Sequence, residues 1–407
     1  MKIRLNIGNF LILFLAVIFA LNLNEYLLLV KYLFKYFNPS DFISDASFID
    51  YCFSLAAVPV LITLLLLLRN LKILIMQPDW LNITVSIILL VSVLAPVISG
   101  SNPNYQYELK ETRMLPPFSG KEILIVADDS SVNGFEKSLI TKKYLFSRVF
   151  TGNEITGRYP NVEITGVSGK REINTEGKIF IIKKGFFLLG TDDFGRDIFS
   201  RLIFGTRISI FTGLSVTVLS ALIGILLGYF SGISGGVIDA LLNRFSEMML
   251  TVPLLFLIIL AAAFLGSSLL TIVVILGFTG WMSLYKIVRT EVISLKNKNF
   301  IITSHMLGVN SFKILRDEML PHMYSPVAVN LVFLFANVII AESALSFLGF
   351  GSGAEFPSWG AMIHQGQLVI SKAWWISVFP GLMIFITIIS ANSAAEKIKR
   401  KLGFAKI

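Results

Sequence analysis

Few residues of this 407-residue chain have the type and spacing of a catalytic or metal-binding group. The single cysteine, Cys52, lies in an apolar run, so no disulfide forms within the chain, and we interpret this residue as a small buried side chain. The three histidines, His305, His322 and His364, lack the close spacing of a metal site. The sequence has no Gly-x-x-x-x-Gly-Lys-Ser/Thr loop to hold the phosphates of ATP. We therefore expect no enzyme, and no metal or cofactor bound by this chain.

One acid stands out because of its apolar surroundings. Glu342 falls inside the apolar run from Val327 to Phe347, where an ionisable residue normally finds a partner and faces the protein interior or a pore. A structural hydrogen bond to a neighbouring helix is one interpretation. A place in a pore lining, with Ser343 beside it, is the other, and both are open at this point.

A charged stretch carries opposite charges three or four residues apart, a spacing that lets them pair and orient a following helix. Solvated ion pairs of little energy are one interpretation, and a role in gating is the other. The residues are Asp192, Asp193, Arg196, Asp197, Arg201 and Arg207.

Three glycines four residues apart predict a close contact between helices. Gly224, Gly228 and Gly232 share one helix face, and without side chains there the backbone of another helix can approach. That helix belongs either to the same chain or to a partner subunit. Packing within the chain is the simpler interpretation.

The elements that position these residues are predicted to cross a membrane. Hydrophobic residues make up 55% of the sequence and charged residues only 15%, whereas soluble domains have about a quarter of their residues charged. Because a bilayer core needs about 20 apolar residues per helix, the sequence predicts about eight spans. They are Asn9 to Val30, Tyr51 to Leu68, Leu81 to Ile98, Ile208 to Tyr229, Leu250 to Leu265, Leu269 to Tyr285, Val327 to Phe347 and Trp374 to Ala391.

The distribution of basic residues predicts the orientation of the spans. The net charge is +9, which suits a membrane protein with Lys and Arg beside anionic lipid better than a nucleic-acid-binding protein. Alternate crossing places Lys2, Arg4 and three basic segments on one side, which the positive-inside rule makes cytoplasmic. The segments are Arg69 to Lys72, Lys286 to Arg316 and Lys397 to Lys406. We expect both termini in the cytoplasm of a multi-pass inner-membrane protein, with an uncleaved first anchor.

The chain between Ser101 and Lys184 has about the charged fraction of a soluble domain. Three stretches rich in Ile and Val predict short strands: Lys121 to Ala127, Asn161 to Val167 and Lys178 to Ile182. We therefore predict an all-α polytopic membrane protein with a small β-rich insert outside the membrane. The insert either folds as a separate module or packs as an extended loop on the pore mouth. The predicted divisions are residues 1–79, with two extra spans, 80–100, with one span, 101–188, the insert, and 189–407, with five spans.

The loop at residues 291–322, between the predicted sixth and seventh spans, is unusually apolar. Gly308 interrupts its helical pattern and Pro321 is expected to end it, which predicts two short helices with a glycine elbow. An apolar face in the cytoplasm must bind lipid or a groove in another protein. The apolar residues are Phe300, Ile301, Met306, Leu307, Phe312, Ile314, Leu315 and Met319.

At this loop the chain resembles the permease subunits of ABC importers. Their pattern is Glu-Ala-Ala, three residues, Gly, nine residues, a hydrophobic residue, one residue and Leu-Pro. The matching positions are Ile302-Thr303-Ser304, Gly308 and Leu320-Pro321, with Ile302 where the family has Glu and Glu318 where it has a hydrophobic residue. The resemblance implies that the loop couples to an ATPase subunit, and the positions we assign to this contact are Phe300, Thr303, Ser304, Met306, Leu307, Gly308, Phe312, Leu315, Leu320 and Pro321.

Two further stretches resemble the dipeptide, oligopeptide and nickel branch of that family. Leu189-Gly190-Thr191-Asp192 with Gly195-Arg196-Asp197 matches the run before a span in that branch. Ala341 to Gly351, followed by Pro357-Ser358-Trp359-Gly360, matches the segment after its coupling loop. The resemblance extends from Leu189 to Lys401 and implies a type I ABC importer fold. We assign an outer gate or entry motif to Gly190, Thr191, Asp192, Gly195, Arg196, Asp197 and Arg201.

The resemblance implies that this chain forms half of a pore. The implied partners are a second homologous permease, two cytoplasmic ATP-binding subunits that use ATP and Mg, and an extracytoplasmic substrate-binding protein. Peptides are the favoured solute, and nickel or another small solute stays open. An ion-driven secondary transporter is the nearest alternative, although it should show several acids within its spans.

Overall fold

The computed structural model of the protein describes residues 7–36, 46–67, 80–127, 147–158, 160–176, 178–266, 268–351 and 356–403. Lys2, Arg4 and the connection Arg69 to Lys72, on which the orientation prediction partly rests, lie outside these ranges. The chain divides into two compact units. Unit one is Met1–Ile208 with Glu355–Gly381, and unit two is Ser209–Ala354 with Leu382–Ile407.

Apolar helices form the N-terminal part of unit one. They are α1 (Ile7–Leu21), α2 (Leu23–Tyr36), α3 (Ala46–Leu67), α4 (Trp80–Val93) and α5 (Ala95–Ile98). Leu15, Leu55 and Leu94 are fully buried in one hydrophobic cluster, which joins α1, α3 and the break between α4 and α5. The N-terminal helices therefore share a core and pack as a group.

The β-rich insert consists of a short helix and two antiparallel three-stranded sheets. The helix is α6 (Leu109–Thr112), and the sheets have the orders β2-β1-β6 and β3-β4-β5. In the first sheet Ile125 lies opposite Val149 on one side and Ile181 on the other. The strands are β1 (Ser119–Ala127), β2 (Ser147–Gly152), β3 (Glu154–Arg158), β4 (Asn161–Gly166), β5 (Gly169–Asn174) and β6 (Phe180–Phe187). The three predicted strand stretches correspond to β1, β4 and β6.

A buried carboxylate organises the insert. The Glu111 side chain has no exposed surface and accepts hydrogen bonds from Lys121 Nζ at 3.2 Å, Val167 N at 2.9 Å and Ser168 N at 3.0 Å. Burial raises the pKa of Glu111, but these hydrogen bonds outweigh burial and the net pKa lies below the usual range. Since Val167 and Ser168 form the turn between β4 and β5, this acid ties that hairpin to α6.

The second half of the chain is helical. Most of its helices are long, and a π-helical turn at Leu315–Met319 joins two of them. The helices are α7 (Ile198–Ser234), α8 (Gly236–Thr251), α9 (Leu254–Leu265), α10 (Leu269–Leu295), α11 (Asn299–Met306), α12 (Ser311–Ile314), α13 (Leu320–Phe347), α14 (Trp359–Gln367) and α15 (Trp375–Gly403).

Within the described residues, the eight predicted apolar runs form helices, but not eight single spans. Five helices of the described part are long and apolar enough to cross a membrane, and two bent helix pairs raise the number to as many as seven. The pairs are bent by 58° after Leu21 and by 88° after Thr251. The run from Leu81 to Ile98 is interrupted at Leu94, just before Pro96, and its apolar helix is too short to count. The predicted polytopic helical fold with a β-rich insert is confirmed.

An ion pair joins α3 to α7 inside unit one. Arg207 donates two hydrogen bonds to the Asp50 carboxylate, at 2.5 and 2.8 Å. Both side chains are about one third exposed, at 36% and 31%. The sequence pattern placed Arg207 with the charged stretch that begins at Asp192, whereas its observed partner is 157 residues away in the chain.

Candidate functional site

The 291–322 segment folds as two short helices around a glycine, as predicted from its pattern. Helix α11 ends at Met306, and Gly308 follows with a φ of 74°. Gly308 N donates to His305 O at 3.0 Å and Val309 N donates to Ser304 O at 3.1 Å, the paired hydrogen bonds of a Schellman motif. Asn310 then caps α12 through a hydrogen bond from Phe312 N at 2.9 Å. The sharp turn therefore depends on a residue without a β-carbon at position 308.

The expectation that Pro321 ends the second helix is wrong. The chain continues as one helical run from Ser311 to Phe347, through the π-helical turn and into α13. Pro321 occupies the first turn of α13, where its missing N–H is tolerated. The second short helix is consequently an extension of a spanning helix rather than a separate element.

The apolar residues of this segment divide into two sets. One set is buried in a hydrophobic cluster with Val288 and Val292 of α10, and its members are Ile301, Ile314, Leu315 and Met319, with Leu320 partly buried against them. The Tyr229 hydroxyl of α7 also donates to Ser311 O at 2.7 Å. These contacts fix the segment to α7 and α10 within unit two.

The second set is exposed. Met306 is 82% exposed, Leu307 77%, Phe312 62% and Phe300 40%. Thr303 is also exposed, and its hydroxyl donates to Asn299 O of its own helix at 2.8 Å. The predicted single apolar face is thus two faces: one completes the core of this chain and the other is left uncovered around Gly308.

Three residues of the charged stretch, Asp192, Arg196 and Arg201, form a buried network rather than a solvated one. Asp192 Oδ2 lies 2.7 Å from Arg196 Nε and 3.6 Å from Arg201 Nε. Gln365 Oε1, from α14, accepts from Arg196 at 3.1 Å and from Arg201 at 3.2 Å. The Asp192, Arg196 and Arg201 side chains are between 1% and 9% exposed. Two arginines therefore share one carboxylate and one amide oxygen in the interior of unit one.

Asp197 begins helix α7. Its carboxylate accepts hydrogen bonds from Ser200 N at 3.0 Å and from Ser200 Oγ at 2.5 Å, the pattern of a helix N-cap. Ser200 Oγ in turn accepts from Ser101 N at 3.0 Å, which fixes the start of the insert. Burial raises the pKa of Asp197, and Asp192 adds to the increase, although the hydrogen bonds from Ser200 and Phe199 oppose it.

The remaining residues of this motif hold the chain in a tight loop. Gly190 and Gly195 have φ values of 80° and 71°, and a β-carbon at Gly195 would lie 2.5 Å from Thr112 Oγ1. The Thr191 hydroxyl accepts from Leu115 N at 2.8 Å and donates to Thr112 O. The motif is therefore built around the segment that follows α6.

Glu342 is buried and hydrogen-bonded. It is 1% exposed, and it accepts from Ser346 Oγ at 2.7 Å on its own helix and from Ser209 Oγ at 3.2 Å on α7. Ser343, next to it, is 7% exposed, and its hydroxyl has no hydrogen-bond partner among the described residues. Of the two interpretations, the structure displays the contact to a neighbouring helix.

The glycine face of α7 packs against α10 of the same chain. A β-carbon would lie 2.9 Å from Trp281 O at Gly224, 2.9 Å from Tyr285 O at Gly228 and 3.2 Å from Arg289 O at Gly232. The first two distances are shorter than real β-carbons show, and at Gly232 a β-carbon would also lie 2.7 Å from Val292 Cγ1. The two helices therefore approach each other closely at three successive turns of α7.

Sequence reasoning missed an ion pair at the end of these helices. Asp239 on α8 accepts from Arg289 on α10 at 2.5 and 2.6 Å, and also from Ser231 on α7. The partners are 50 residues apart, so no local spacing indicates the pair. The Gly235-Gly236 dipeptide was the available signal, because both residues have positive φ and turn the chain between α7 and α8.

The described residues contain no group of three or more His, Cys, Asp or Glu side chains that could hold a metal ion.

Comparisons with known proteins identify the family. Residues 224–403 match the family model described as binding-protein-dependent transport system inner membrane component. The chain is 38% identical over 204 residues to the dipeptide transport system permease protein DppC of Bacillus subtilis, covering 50% of this chain and 64% of that protein. It is 35% identical to the oligopeptide transport system permease protein OppC of the same organism, covering 52% and 69%. For the di/tripeptide permease DppC of Pseudomonas aeruginosa the values are 33%, 52% and 70%.

The match therefore spans about two thirds of the length of these relatives, and they are permease proteins rather than enzymes. Among solved structures, a chain of the inward-facing MetNI methionine ABC transporter aligns with a TM-score of 0.38 and 11% identity, covering 48% of this chain and 95% of that one. That likeness is too weak to support an argument. Nothing in the comparisons supports an ion-driven secondary transporter. The chain is a multi-pass membrane protein that belongs to the family of inner membrane components of binding-protein-dependent transport systems, as its motifs predicted.

Proposed function

We propose that this chain is one of two permease subunits of an ABC importer for peptides and that it forms half of the translocation pathway. The observation that carries the proposal is the 291–322 segment. It exposes Met306, Leu307 and Phe312, while a second set, Ile301, Ile314, Leu315 and Met319, is buried in the protein's own core. An exposed apolar patch on a fixed base is typical of a surface that another protein covers.

The partner at this surface is an ATP-binding subunit in the cytoplasm. The second half of α10 carries Lys286 and Arg289, and the connection to α11 carries Lys296 and Lys298, which favours a cytoplasmic location by the positive-inside rule. Both termini then lie on the same side and the insert on the other. A second permease, a second ATP-binding subunit and an extracytoplasmic binding protein complete the assembly, and ATP and Mg are used by the ATP-binding subunits.

The mechanism we propose is alternating access. Closure of the ATP-binding subunits moves α11, and the buried base of the 291–322 segment passes that movement to α7, α10 and α13. Because α12, the π-helical turn and α13 form one helical run, displacement at the segment reaches the level of Glu342 along a continuous helix.

One charged substitution in the exposed apolar patch around Leu307 tests whether this patch binds the ATP-binding subunit. Leu307→Asp should abolish co-purification of the ATP-binding subunits and ATP-dependent uptake, because an aspartate cannot be buried in an apolar contact. Leu368→Asp is the matched control, since Leu368 is 75% exposed and Leu307 77%. Equal binding of the ATP-binding subunits by both variants and by the native protein would contradict the proposal.

The orientation and the solute need separate measurements. In a Cys52→Ser background, Leu307→Cys should react with a membrane-impermeant maleimide only from the cytoplasmic side, and Val167→Cys, which is 74% exposed in the insert, only from the opposite side. Uptake into proteoliposomes of a labelled tripeptide, a labelled hexapeptide and Ni²⁺ distinguishes the solute classes. Transport of Ni²⁺ without either peptide would refute the peptide assignment.

A further inference from the structure

Two side-chain contacts join α11 to the helical run from Ser311 to Phe347. Ser304 Oγ donates to Glu318 Oε1 at 2.6 Å, and the Phe300 ring stacks on the His322 ring with centroids 4.9 Å apart. Ser304 lies four residues after Phe300 on α11, and His322 lies four residues after Glu318 on the facing run. The two contacts therefore lie about one helical turn apart, on one side of each helix.

These two contacts lie beside a buried apolar interface between α11 and the facing run. Ile301, which follows Phe300, is fully buried in the same hydrophobic cluster as Leu315, Met319 and Met323 of the facing run. His322 Nδ1 also contacts Glu318 O at 2.6 Å, so the two residues on that run are joined to each other. Apolar packing holds the helices together, and the hydrogen bond between Ser304 and Glu318 fixes how they are aligned along their length.

The Glu318 side chain is expected to lower the stability of the fold at this position. Its Oε2 atom is buried, and among the described residues it has no hydrogen-bond partner. A buried carboxylate oxygen without a partner costs free energy, whereas an apolar side chain at the same place would not incur that cost. Stability alone therefore does not explain an acid at position 318.

The location of Glu318 supports a mechanical explanation. It lies in the π-helical turn Leu315–Met319, and such turns occur frequently at functional sites of helices. Ile302, at the position where the sequence pattern expects an acid, is 39% exposed. In this chain the acid is thus on the second helix and reaches back to Ser304 on the first.

We infer that Glu318 is a positioning residue which, through its hydrogen bond with Ser304, makes α11 and the Ser311–Phe347 run move as one body during transport. The inference rests on the proposed function. If an ATP-binding subunit displaces α11, the hydrogen bond transmits that displacement to the Ser311–Phe347 run. Without this hydrogen bond, α11 shifts along the buried apolar interface, and ATP is hydrolysed with little transport.

The experiment uses the complete transporter in proteoliposomes and measures peptide transported per ATP hydrolysed. Ser304→Ala and Glu318→Ala should each lower this ratio by about tenfold, the effect expected for loss of one hydrogen bond to a charged group. In Glu318→Ala, whose residue is not assigned to the ATPase contact, ATP hydrolysis itself and co-purification of the ATP-binding subunits should stay within about twofold of native values. The double variant should be no worse than either single one, because the two residues act through the same contact.

Rescue separates this role from a general structural one. Glu318→Gln keeps an acceptor for Ser304 and should retain the native ratio. The exchanged pair, Ser304→Glu with Glu318→Ser, should restore it relative to the single alanine variants. Asp317→Asn is the control for a nearby charge, since Asp317 is 40% exposed and paired with Arg316, and it should leave the ratio unchanged.

Three results would overturn the inference. They are equal losses of ATP hydrolysis and uptake in Glu318→Ala, a double variant whose defect is the product of the single ones, and loss of the native ratio in Glu318→Gln. Failure of the proposed function looks different: the native complex itself would show no ATP-dependent uptake, and Leu307→Asp would have no effect on subunit binding.

Discussion

The 291–322 segment leaves apolar side chains exposed, whereas the network around Asp192 buries charged ones. In the segment, Met306 and Leu307 are exposed while polar Ser304 and Glu318 pair with each other. In the network, Asp192 and Arg201 are buried and satisfied within one unit. A surface that awaits another protein leaves apolar area open, whereas a site that is complete in itself encloses its charges. The contrast supports the proposal that the segment works through a partner, while the network is satisfied by its own geometry.

The most disruptive change should be loss of a charge from the network. Arg201→Ala empties the space of a fully buried side chain and removes hydrogen bonds to Gln365 Oε1 and Pro103 O, so we expect a loss of about 3–5 kcal/mol in stability. Thermal unfolding of the purified protein in detergent measures it. Arg207→Ala is the control, because the Arg207–Asp50 pair is partly exposed and its loss should cost about 1 kcal/mol or less. Similar losses for both variants would contradict the contrast between enclosed and solvated charges.

A smaller loss is expected where α7 and α10 touch. In Gly228→Ala the new β-carbon would lie 2.8 Å from Val288 Cβ and 2.9 Å from Tyr285 O, so the helices must separate, at a cost of about 1–3 kcal/mol. At Gly381, in α15, nothing lies within 4 Å, and Gly381→Ala should stabilise the helix by about 0.5–1 kcal/mol. Thermal midpoints of opposite sign are the expected result, and two shifts of the same sign would count against the close approach.

The glycine of the exposed segment should affect transport more than stability. Gly308→Val forces a β-branched residue into the left-handed region, which costs about 1–2 kcal/mol, and should uncouple ATP hydrolysis from uptake. Gly266→Val is matched, with a φ of 80° and open space around it, and should leave coupling intact. Uptake per ATP in proteoliposomes distinguishes them, and unchanged coupling in Gly308→Val would argue against a hinge.

The smallest effect concerns the cap of α7. Asp197→Asn keeps the N-cap acceptor, so stability at neutral pH should change by less than about 1 kcal/mol. Since burial raises the folded-state pKa of Asp197, the native protein should gain stability as the pH falls through that pKa, with the full gain present below the usual range near about 4. The asparagine variant should lack this part of the pH dependence. Parallel curves of thermal midpoint against pH would show that the carboxylate does not titrate as described.

The sequence predicted what depends on local spacing. Apolar runs identified the helices, Ile- and Val-rich stretches identified β1, β4 and β6, and Gly308 located the elbow because its conformation is decided by residues close in the chain. The end of the second helix was missed, because a proline in the first turn of a helix is compatible with a helical run that continues through a π-helical turn.

Contacts between distant residues were beyond such reasoning. The Asp239–Arg289 pair and the place of Gln365 between two arginines depend on how helices pack, which spacing along the chain does not encode. The burial of Asp192 and Arg201 was missed for the same reason, since alternating charges look alike whether water or protein surrounds them.

The Arg207–Asp50 ion pair has a practical consequence for anyone who cuts or exchanges parts of this protein. A shortened version that begins after α3 would leave the Arg207 guanidinium, only about one third exposed, without its carboxylate partner in the first third of the long helix α7. Hybrid permeases that take α7 from this chain should therefore carry α3 along with it, or replace Arg207 by an uncharged residue at the same time.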